Sequence, residues 1–169
     1  MKTLLLASAL FAGLFGSLAA APAPGPAPGP DPSTSHAYCR TTWHFETPCG
    51  DISNTLAKQI QDSSPEYKLV IFTPSYIKAN HTSDIPEGED IGLAFNPTLM
   101  TKECCVTAMS TSFGFTSRLD DGLNYCNLYN LLLASDLNSS PGFKETTNKW
   151  ACPGYALATC KAWRAFILK

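Results

Sequence analysis

The sequence predicts an α+β domain in which one N-terminal helix packs on an antiparallel sheet and disulfides staple the elements together. Three observations support this class: one apolar stripe at helical spacing, several segments with strand patterning after it, and seven cysteines in a chain of 169 residues. A small, mostly-β barrel is the alternative architecture.

The chain opens with the pattern of a secretory signal peptide. Lys2 supplies a positive charge, an apolar run of about 15 residues follows, and Ser17-Leu18-Ala19 supplies small residues at the cleavage site. A membrane span needs about 20 apolar residues, so this run is too short for one. We therefore expect residues 1–20 to be removed and the protein to be secreted and extracellular.

A Pro-rich segment follows the signal. Residues 21–35 begin APAPGPAPGPDP, and proline excludes helix and ladder pairing because its φ is fixed and it has no N–H. We expect an extended spacer over 21–35 and a single disulfide-rich globular domain over 36–169.

The first elements of the domain follow from side-chain spacing. Residues 41–46 alternate between two faces, which is typical of a short strand. Ile52, Leu56 and Ile60 then recur every four residues, which predicts a helix over 52–62, with Asp51 as its N-cap. Ser63-Ser64-Pro65 ends this helix.

The middle of the domain reads as a series of strands. β-Branched and aromatic residues alternate or cluster there between turn-forming Pro, Gly and Asp residues. Residues 124–133 match the helical template, although a return strand after the Asp-Asp-Gly turn remains the alternative. The predicted strands are 67–73, 76–82, 91–96 and 104–115.

Seven cysteines in a short secreted chain predict three disulfides and one odd thiol. Short loops close at little entropic cost, which favours the pairs Cys39–Cys49 and Cys152–Cys160. The six cysteines that we expect to be bonded are Cys39, Cys49, Cys105, Cys126, Cys152 and Cys160.

The third bond involves two adjacent cysteines. On a strand, Cys104 and Cys105 point to opposite faces, so only one of them can aim at Cys126. We favour Cys105, which leaves Cys104 as the odd thiol. That thiol is either buried as a small hydrophobe or couples two copies into a homodimer.

The residue pattern predicts no catalytic, cofactor or metal site. The carboxylate pairs Glu89-Asp90 and Asp120-Asp121 sit beside glycines and read as turn residues. Ser110 and Ser112 read as part of a solvated sheet face. A Cys–His enzyme would need the odd thiol beside His44 or His81.

Charge and sequons bear on the partners. Removal of residues 1–20 removes Lys2, which leaves eleven basic and fourteen acidic residues and a formal charge of −3. This balance predicts no nucleic-acid partner.

Residues 161–169 are basic and apolar. Because this segment is only nine residues long, we expect it to pack on the domain rather than to contact a membrane. Asn80-His81-Thr82 is a glycosylation sequon, so Asn80 is expected to carry a glycan.

The leading functional hypothesis is a secreted extracellular binding protein without catalysis, which carries a small apolar ligand or binds an extracellular protein. A small secreted hydrolase and a disulfide-linked component of an extracellular coat are the alternatives. The apolar ligand is suggested by the aromatic residues Trp43, Phe72, Phe95, Phe113 and Phe115.

Overall fold

The computed structural model describes residues 36–82, 88–98, 102–114 and 120–160. All of them belong to one unit, Pro32–Lys169. The predicted signal peptide (1–20) and the predicted spacer (21–35) lie outside the described residues, as do Phe115 and residues 161–169.

Six strands and two helices make up the described part of the domain. In chain order they are β1 (Tyr38–Phe45), α1 (Cys49–Asp62), β2 (Tyr67–Thr73), β3 (Tyr76–His81), β4 (Glu89–Pro97), β5 (Cys104–Ser112), α2 (Leu123–Ala134) and β6 (Lys144–Thr146). The strands form one antiparallel sheet in the order β2-β3-β4-β5-β1-β6.

The α+β class, the antiparallel sheet and the disulfide staples are confirmed. The prediction that the helix is N-terminal is wrong, because β1 precedes α1, whereas the favoured helical interpretation of residues 124–133 is confirmed by the second helix, α2. The barrel alternative is not supported, since the six described strands form an open sheet with β2 at one end of the order and β6 at the other.

The apolar stripe of α1 explains where this helix lies. Ile52, Leu56 and Ile60 are fully buried against the sheet, as their spacing predicts. The helix begins earlier than expected, at Cys49, directly after Pro48, and no side chain caps its first turn. Asp51 therefore lies inside the first turn, where a carboxylate favours the positive end of the helix dipole.

The sheet has two distinct faces. We call the face against which α1 and α2 pack the inner face; its residues include Trp43, Leu93 and Val106, which are fully buried. The opposite face, which we call the outer face, includes exposed Arg40 and Met109. Alternation along each strand assigns neighbours to opposite faces, so register determines which side chains meet.

All three predicted disulfide pairs are wrong. The structure joins Cys39 to Cys152, Cys49 to Cys104 and Cys126 to Cys160, across sequence separations of 113, 55 and 34 residues. Strand β1 explains why the local pair fails. Cys39 lies near its start and α1 begins beyond its end at Phe45, so about 20 Å of extended strand separates the two neighbourhoods.

The choice between the adjacent cysteines is also reversed. Cys104 pairs in register with Phe45 and lies on the inner face, where it meets Cys49 at the start of α1. Cys105 therefore points to the outer face and is the unbonded cysteine. Alternation correctly places Cys104 and Cys105 on opposite faces of β5. The position of α1 then decides which of them is bonded, because Cys49 at the start of α1 lies over the inner face.

Candidate functional site

A row of buried polar side chains crosses the inner face at one end of the sheet. His81 and Glu89 are directly opposite each other on β3 and β4, 5% and 0% exposed. The Nδ1 atom of His81 lies 2.8 Å from Oε2 of Glu89, and its Nε2 atom lies 3.4 Å from Oε1 of Glu66. The imidazole is thus held between two carboxylates, one buried and one partly exposed.

Gly88, directly before β4, allows β3 and β4 to approach each other closely beside the His81–Glu89 contact. Its φ is +70°, and a Cβ atom there would lie 2.8 Å from the carbonyl oxygen of His81. A side chain at residue 88 would therefore strain the backbone and push against β3 beside the His81–Glu89 contact.

Tyr67 covers the imidazole and connects it to α2. Its ring centroid lies 4.4 Å from that of His81, and its hydroxyl donates a 2.9 Å hydrogen bond to the carbonyl oxygen of Asn127. Burial raises the pKa of Tyr67 well above its usual range, and the neighbouring carboxylates of Glu66 and Glu89 raise it further. The phenol is therefore a neutral donor, not a base.

A second polar network continues the row beneath α2. Asn124 accepts a 2.6 Å hydrogen bond from Ser110 Oγ and donates one of 2.9 Å to Ser112 Oγ. Asp120 accepts from both the backbone and the side-chain N–H groups of Asn124, at 2.8 and 2.7 Å. The expectation of a solvated face is wrong for these serines, since Ser110 and Ser112 are 0% and 1% exposed.

The structure confirms the turn interpretation for only one of the two carboxylate pairs, Asp120-Asp121 and Glu89-Asp90. Asp120 does lie in a short 3-10 turn, Asp120–Gly122, before α2, and Gly122 adopts a φ of +82° there. Glu89 and Asp90 instead begin β4, so the turn interpretation is wrong for them. The signal was available, because alternation back from Ile91 places Glu89 on the inner face.

Glu145 forms a third polar contact at the opposite edge of the sheet. Its Oε1 atom accepts hydrogen bonds from Thr41 Oγ1 at 3.0 Å and from Trp43 Nε1 at 3.1 Å. Its Oε2 atom accepts one of 3.0 Å from the hydroxyl of Tyr125. Burial and the adjacent Glu145 raise the pKa of Tyr125 above its usual range. These bonds anchor β6 and α2 to β1.

The buried polar groups bind one another rather than forming a nucleophilic relay. Both ring nitrogens of His81 contact carboxylates, while Ser110 and Ser112 are bonded to Asn124. Within the described ranges, no three His, Cys, Asp or Glu side chains converge as a metal site. The networks satisfy buried polar atoms and orient α2 on the sheet.

The free thiol lies in a polar row on the outer face. Register places Cys105 of β5 directly between His44 of β1 and Asn96 of β4. Cys105 is half-buried, while His44 and Asn96 are exposed. Of the two histidines considered for a Cys–His pair, His44 is therefore the neighbour of the free thiol, and His81 lies on the other face.

The aromatic residues suggested as a ligand site do not converge. Trp43 and Phe95 are buried in the core on either side of Val106. Phe72 and Phe113 are 47% and 49% exposed, on β2 and just beyond β5. An open depression of about 350 Å³ lies elsewhere, beside the start of α1, and is lined by Pro48, Cys49, Pro97, Lys102 and Glu103.

The β2–β3 hairpin carries an exposed apolar surface. Val70, Ile71, Phe72 and Tyr76, which we call the hairpin surface, are 50%, 43%, 47% and 37% exposed. Ile71 and Tyr76 lie on the outer face of the sheet and Phe72 lies on the inner face, so this surface extends around the β2 side of the hairpin. Sequence reasoning missed this surface, because a continuously apolar strand usually indicates burial on both faces. Neither helix among the described residues has the length and hydropathy needed to span a bilayer.

The fold and these contacts define a disulfide-stapled α+β domain with buried polar networks and one exposed apolar hairpin. No protein-family model matches the chain, and no curated protein matches it. Among solved structures, the chain is similar to an HSP90 activator from Plasmodium falciparum at 10% sequence identity, over 65% of this chain and 99% of that chain, with a TM-score of 0.44. At this level of similarity the activity of that protein does not bear on this chain.

Proposed function

We propose that this chain is a secreted extracellular binding protein that uses the hairpin surface to bind a partner and performs no catalysis. The observation that carries the proposal is the exposure of four large apolar side chains on one hairpin of a disulfide-stapled domain. Clustered exposed apolar side chains mark interaction sites on soluble proteins. Disulfides persist in oxidising compartments, which supports an extracellular location.

An extracellular protein fits this surface better than a small apolar ligand does. A carrier encloses its ligand in a concave apolar site, whereas Val70, Ile71 and Phe72 lie on β2, the first of the described strands in the sheet order, and are about half exposed.

Disulfide-linked assembly is the second candidate function. Its support is the free, half-buried Cys105, which lies on the outer face of the sheet rather than in the core.

Asn80 also lies on the outer face, opposite Asp90, and we propose that it carries the glycan. Loss of a mobility shift after amidase treatment in Asn80→Gln, but not in the parent protein, would assign the glycan to this residue.

The binding surface is tested with protein purified from the medium of eukaryotic cells. Its N-terminus should be Ala20 or Ala21, and a retained Met1 would contradict secretion through a cleaved signal. The fluorescent apolar probe 1-anilinonaphthalene-8-sulfonate is then titrated into the parent and Ile71→Lys. We expect at least a threefold loss of bound-probe fluorescence in Ile71→Lys, because the lysine charges the centre of the hairpin surface.

Met109→Lys is the matched control. Met109 is 42% exposed against 43% for Ile71, and both lie on the outer face, but Met109 is on β5 rather than at the edge. Equal probe binding by the parent and Ile71→Lys would contradict the hairpin surface as a binding site. A non-reducing gel of the same samples tests assembly, since a dimer that disappears in Cys105→Ser supports the second candidate.

A further inference from the structure

Three large apolar side chains are exposed on the segment that follows β6. Trp150 is 79% exposed, more than any other large apolar residue among the described ones, and Tyr155 and Leu157 are 42% and 52% exposed. We call these three residues the 150–157 surface. Their segment lies beyond β6, at the other end of the strand order from β2 and the hairpin surface.

The backbone that carries this surface is anchored to the core of the domain. Cys152 is bonded to β1 and Cys160 to α2, through two of the three disulfides. The carbonyl oxygen of Ala151 also accepts a 2.8 Å hydrogen bond from the backbone N–H of Arg40 in β1. The apolar side chains are therefore presented from an anchored backbone, so binding through them costs less conformational entropy than binding through a slack loop.

Side-chain hydrogen bonds fix the turn that presents Trp150. The Oδ1 atom of Asn148 accepts hydrogen bonds from the backbone N–H groups of Trp150 and Ala151, at 2.9 and 3.0 Å. The hydroxyl of Tyr38 donates a 3.0 Å hydrogen bond to the carbonyl oxygen of Trp150. These bonds hold the backbone, while the indole projects into solvent with the Nζ atom of Lys149 5.3 Å from its ring centroid.

Tyr155 and Leu157 belong to a short 3-10 turn, Tyr155–Leu157, that packs beside α2. The ring of Tyr155 meets that of Tyr125 in α2 edge-on, with centroids 4.9 Å apart. A side chain at Gly154 would have no room against the turn that precedes α2. One side of this 3-10 turn is thus seated on the domain, and Leu157 is left exposed on it.

The charge along this part of the chain is positive. Residues 146–169 include no acid, and their basic residues are Lys149, Lys161, Arg164 and Lys169. The preceding acid, Glu145, has both carboxylate oxygens engaged in hydrogen bonds to β1 and α2. Exposed Arg40 and Lys144 add positive charge on β1 and β6, while exposed Asp121, in the turn before α2, opposes it.

An anionic lipid surface matches both the apolar and the charged features. Trp and Tyr side chains favour the membrane–water interface, because their rings are apolar and their N–H or O–H groups remain hydrated. Basic residues are attracted to anionic headgroups. A bilayer interface also adapts to side chains that project from separate turns, whereas a protein partner needs a matching pocket for each of them.

We propose that the 150–157 surface docks this protein on an anionic membrane surface, with Trp150 and Leu157 in the interfacial region and Lys149 at the headgroups. The length of residues 161–169 gave no reason to expect membrane contact from that segment by itself. The exposed apolar side chains that precede it supply the missing hydrophobic contribution. The inference goes beyond the proposed function, because it uses no residue of the hairpin surface.

Cosedimentation of the secreted protein with lipid vesicles tests this docking. Phosphatidylcholine vesicles that contain about 30% phosphatidylglycerol are compared with vesicles of phosphatidylcholine alone. We expect at least about tenfold tighter binding to the anionic vesicles at about 50 mM salt, and loss of most of this preference at about 500 mM salt, because ions screen the attraction.

Two apolar variants test the contact residues. Trp150→Ser and Leu157→Ser each remove exposed apolar surface and should weaken binding to the anionic vesicles at least about fivefold. Phe72→Ser is the matched control, since Phe72 is 47% exposed against 52% for Leu157 but lies on the hairpin surface, and it should leave binding unchanged. Because all three side chains are exposed, the urea midpoints of the variants should stay close to that of the parent.

Two charge variants test the sign of the attraction. Lys149→Gln should weaken binding about fivefold, the factor that one basic residue contributes near an anionic surface, and Lys68→Gln on β2 should have no effect. Asp121→Asn removes the opposing charge and should strengthen binding. Asparagine suits this position, because the φ of Asp121 is +49° and asparagine tolerates the left-handed region.

The outcomes separate this surface from its alternatives. No binding to either kind of vesicle, or equal binding to both, overturns the inference. Binding to anionic vesicles that survives both Trp150→Ser and Leu157→Ser also overturns it, and a loss in Phe72→Ser instead would assign lipid binding to the hairpin surface. The apolar-probe titration of Ile71→Lys is a separate measurement, so the two proposals can fail independently.

Discussion

Replacing both cysteines of the Cys49–Cys104 bridge by alanine should lower the free energy of unfolding by about 4 kcal/mol. The bridge spans 55 residues, and the chain-entropy relation gives this magnitude for a loop of that length. The bridge also fixes the first turn of α1 over the Phe45 end of β1. Since small domains are stable by only about 5–15 kcal/mol, the variant should be close to unfolding at 37 °C.

Urea titration of the oxidised proteins at pH 7, followed by tryptophan fluorescence, measures this loss, because unfolding exposes buried Trp43. Cys105→Ala is the control, because it removes a half-buried, unbonded cysteine and should cost less than about 1 kcal/mol. A loss as large in Cys105→Ala as in the double variant would refute the connectivity. So would an unreduced peptide map that links Cys49 to Cys39.

Three further predictions concern the buried polar row and the thiol. His81→Ala removes the 2.8 Å contact to fully buried Glu89 and should lower the free energy of unfolding by about 3 kcal/mol in urea titration. Lys78→Ala breaks a solvent-exposed ion pair with Asp90 and should have a clearly smaller effect; equal losses would contradict burial of the first pair. The pKa of Tyr67 is higher in the folded protein than in the unfolded chain, so the unfolded chain loses the phenol proton first as pH rises. The contribution of Tyr67 to the free energy of unfolding is therefore fully present below about pH 10, the ordinary pKa of tyrosine, and decreases as pH rises above it. Tyr67→Phe should flatten this decline in thermal melts across pH 9–11, and an unchanged slope would argue against a buried phenol. A thiol reagent added to unreduced protein should label Cys105 alone, as tested by peptide mapping, and labelling at any other cysteine would contradict the disulfide assignments.

The sequence determined the elements of this domain closely. The strand predicted over 67–73 has the bounds of β2, and the stripe of Ile52, Leu56 and Ile60 marks the buried side of α1. Residues 124–133, for which the spacing favoured a helix over a return strand, form most of α2. These predictions succeeded because backbone geometry fixes the spacing of side chains that share a face, and that spacing is visible within a few turns of chain.

The candidate site was only partly accessible to sequence reasoning. His81 and Glu89 could have been placed on one face by alternation, but Glu66 joins them from outside the strands. The exposure of the hairpin surface had no local signal, since a run such as Val70-Ile71-Phe72 looks the same at an edge and in the centre of a sheet. Only strand order shows that β2 has no second neighbour among the described strands.

Tertiary structure alone decided the disulfide partners. Proximity in sequence favoured Cys39 with Cys49, yet β1 separates them and carries Cys39 to the segment that contains Cys152. Strand β5 lies beside β1 although the chain visits three other strands between them, and this neighbourhood brings Cys104 to Cys49. Local patterns encode which face a residue occupies, because that depends on adjacent peptide units. Which faces meet depends on the joint burial of apolar surface from the whole chain, and no single segment carries that information.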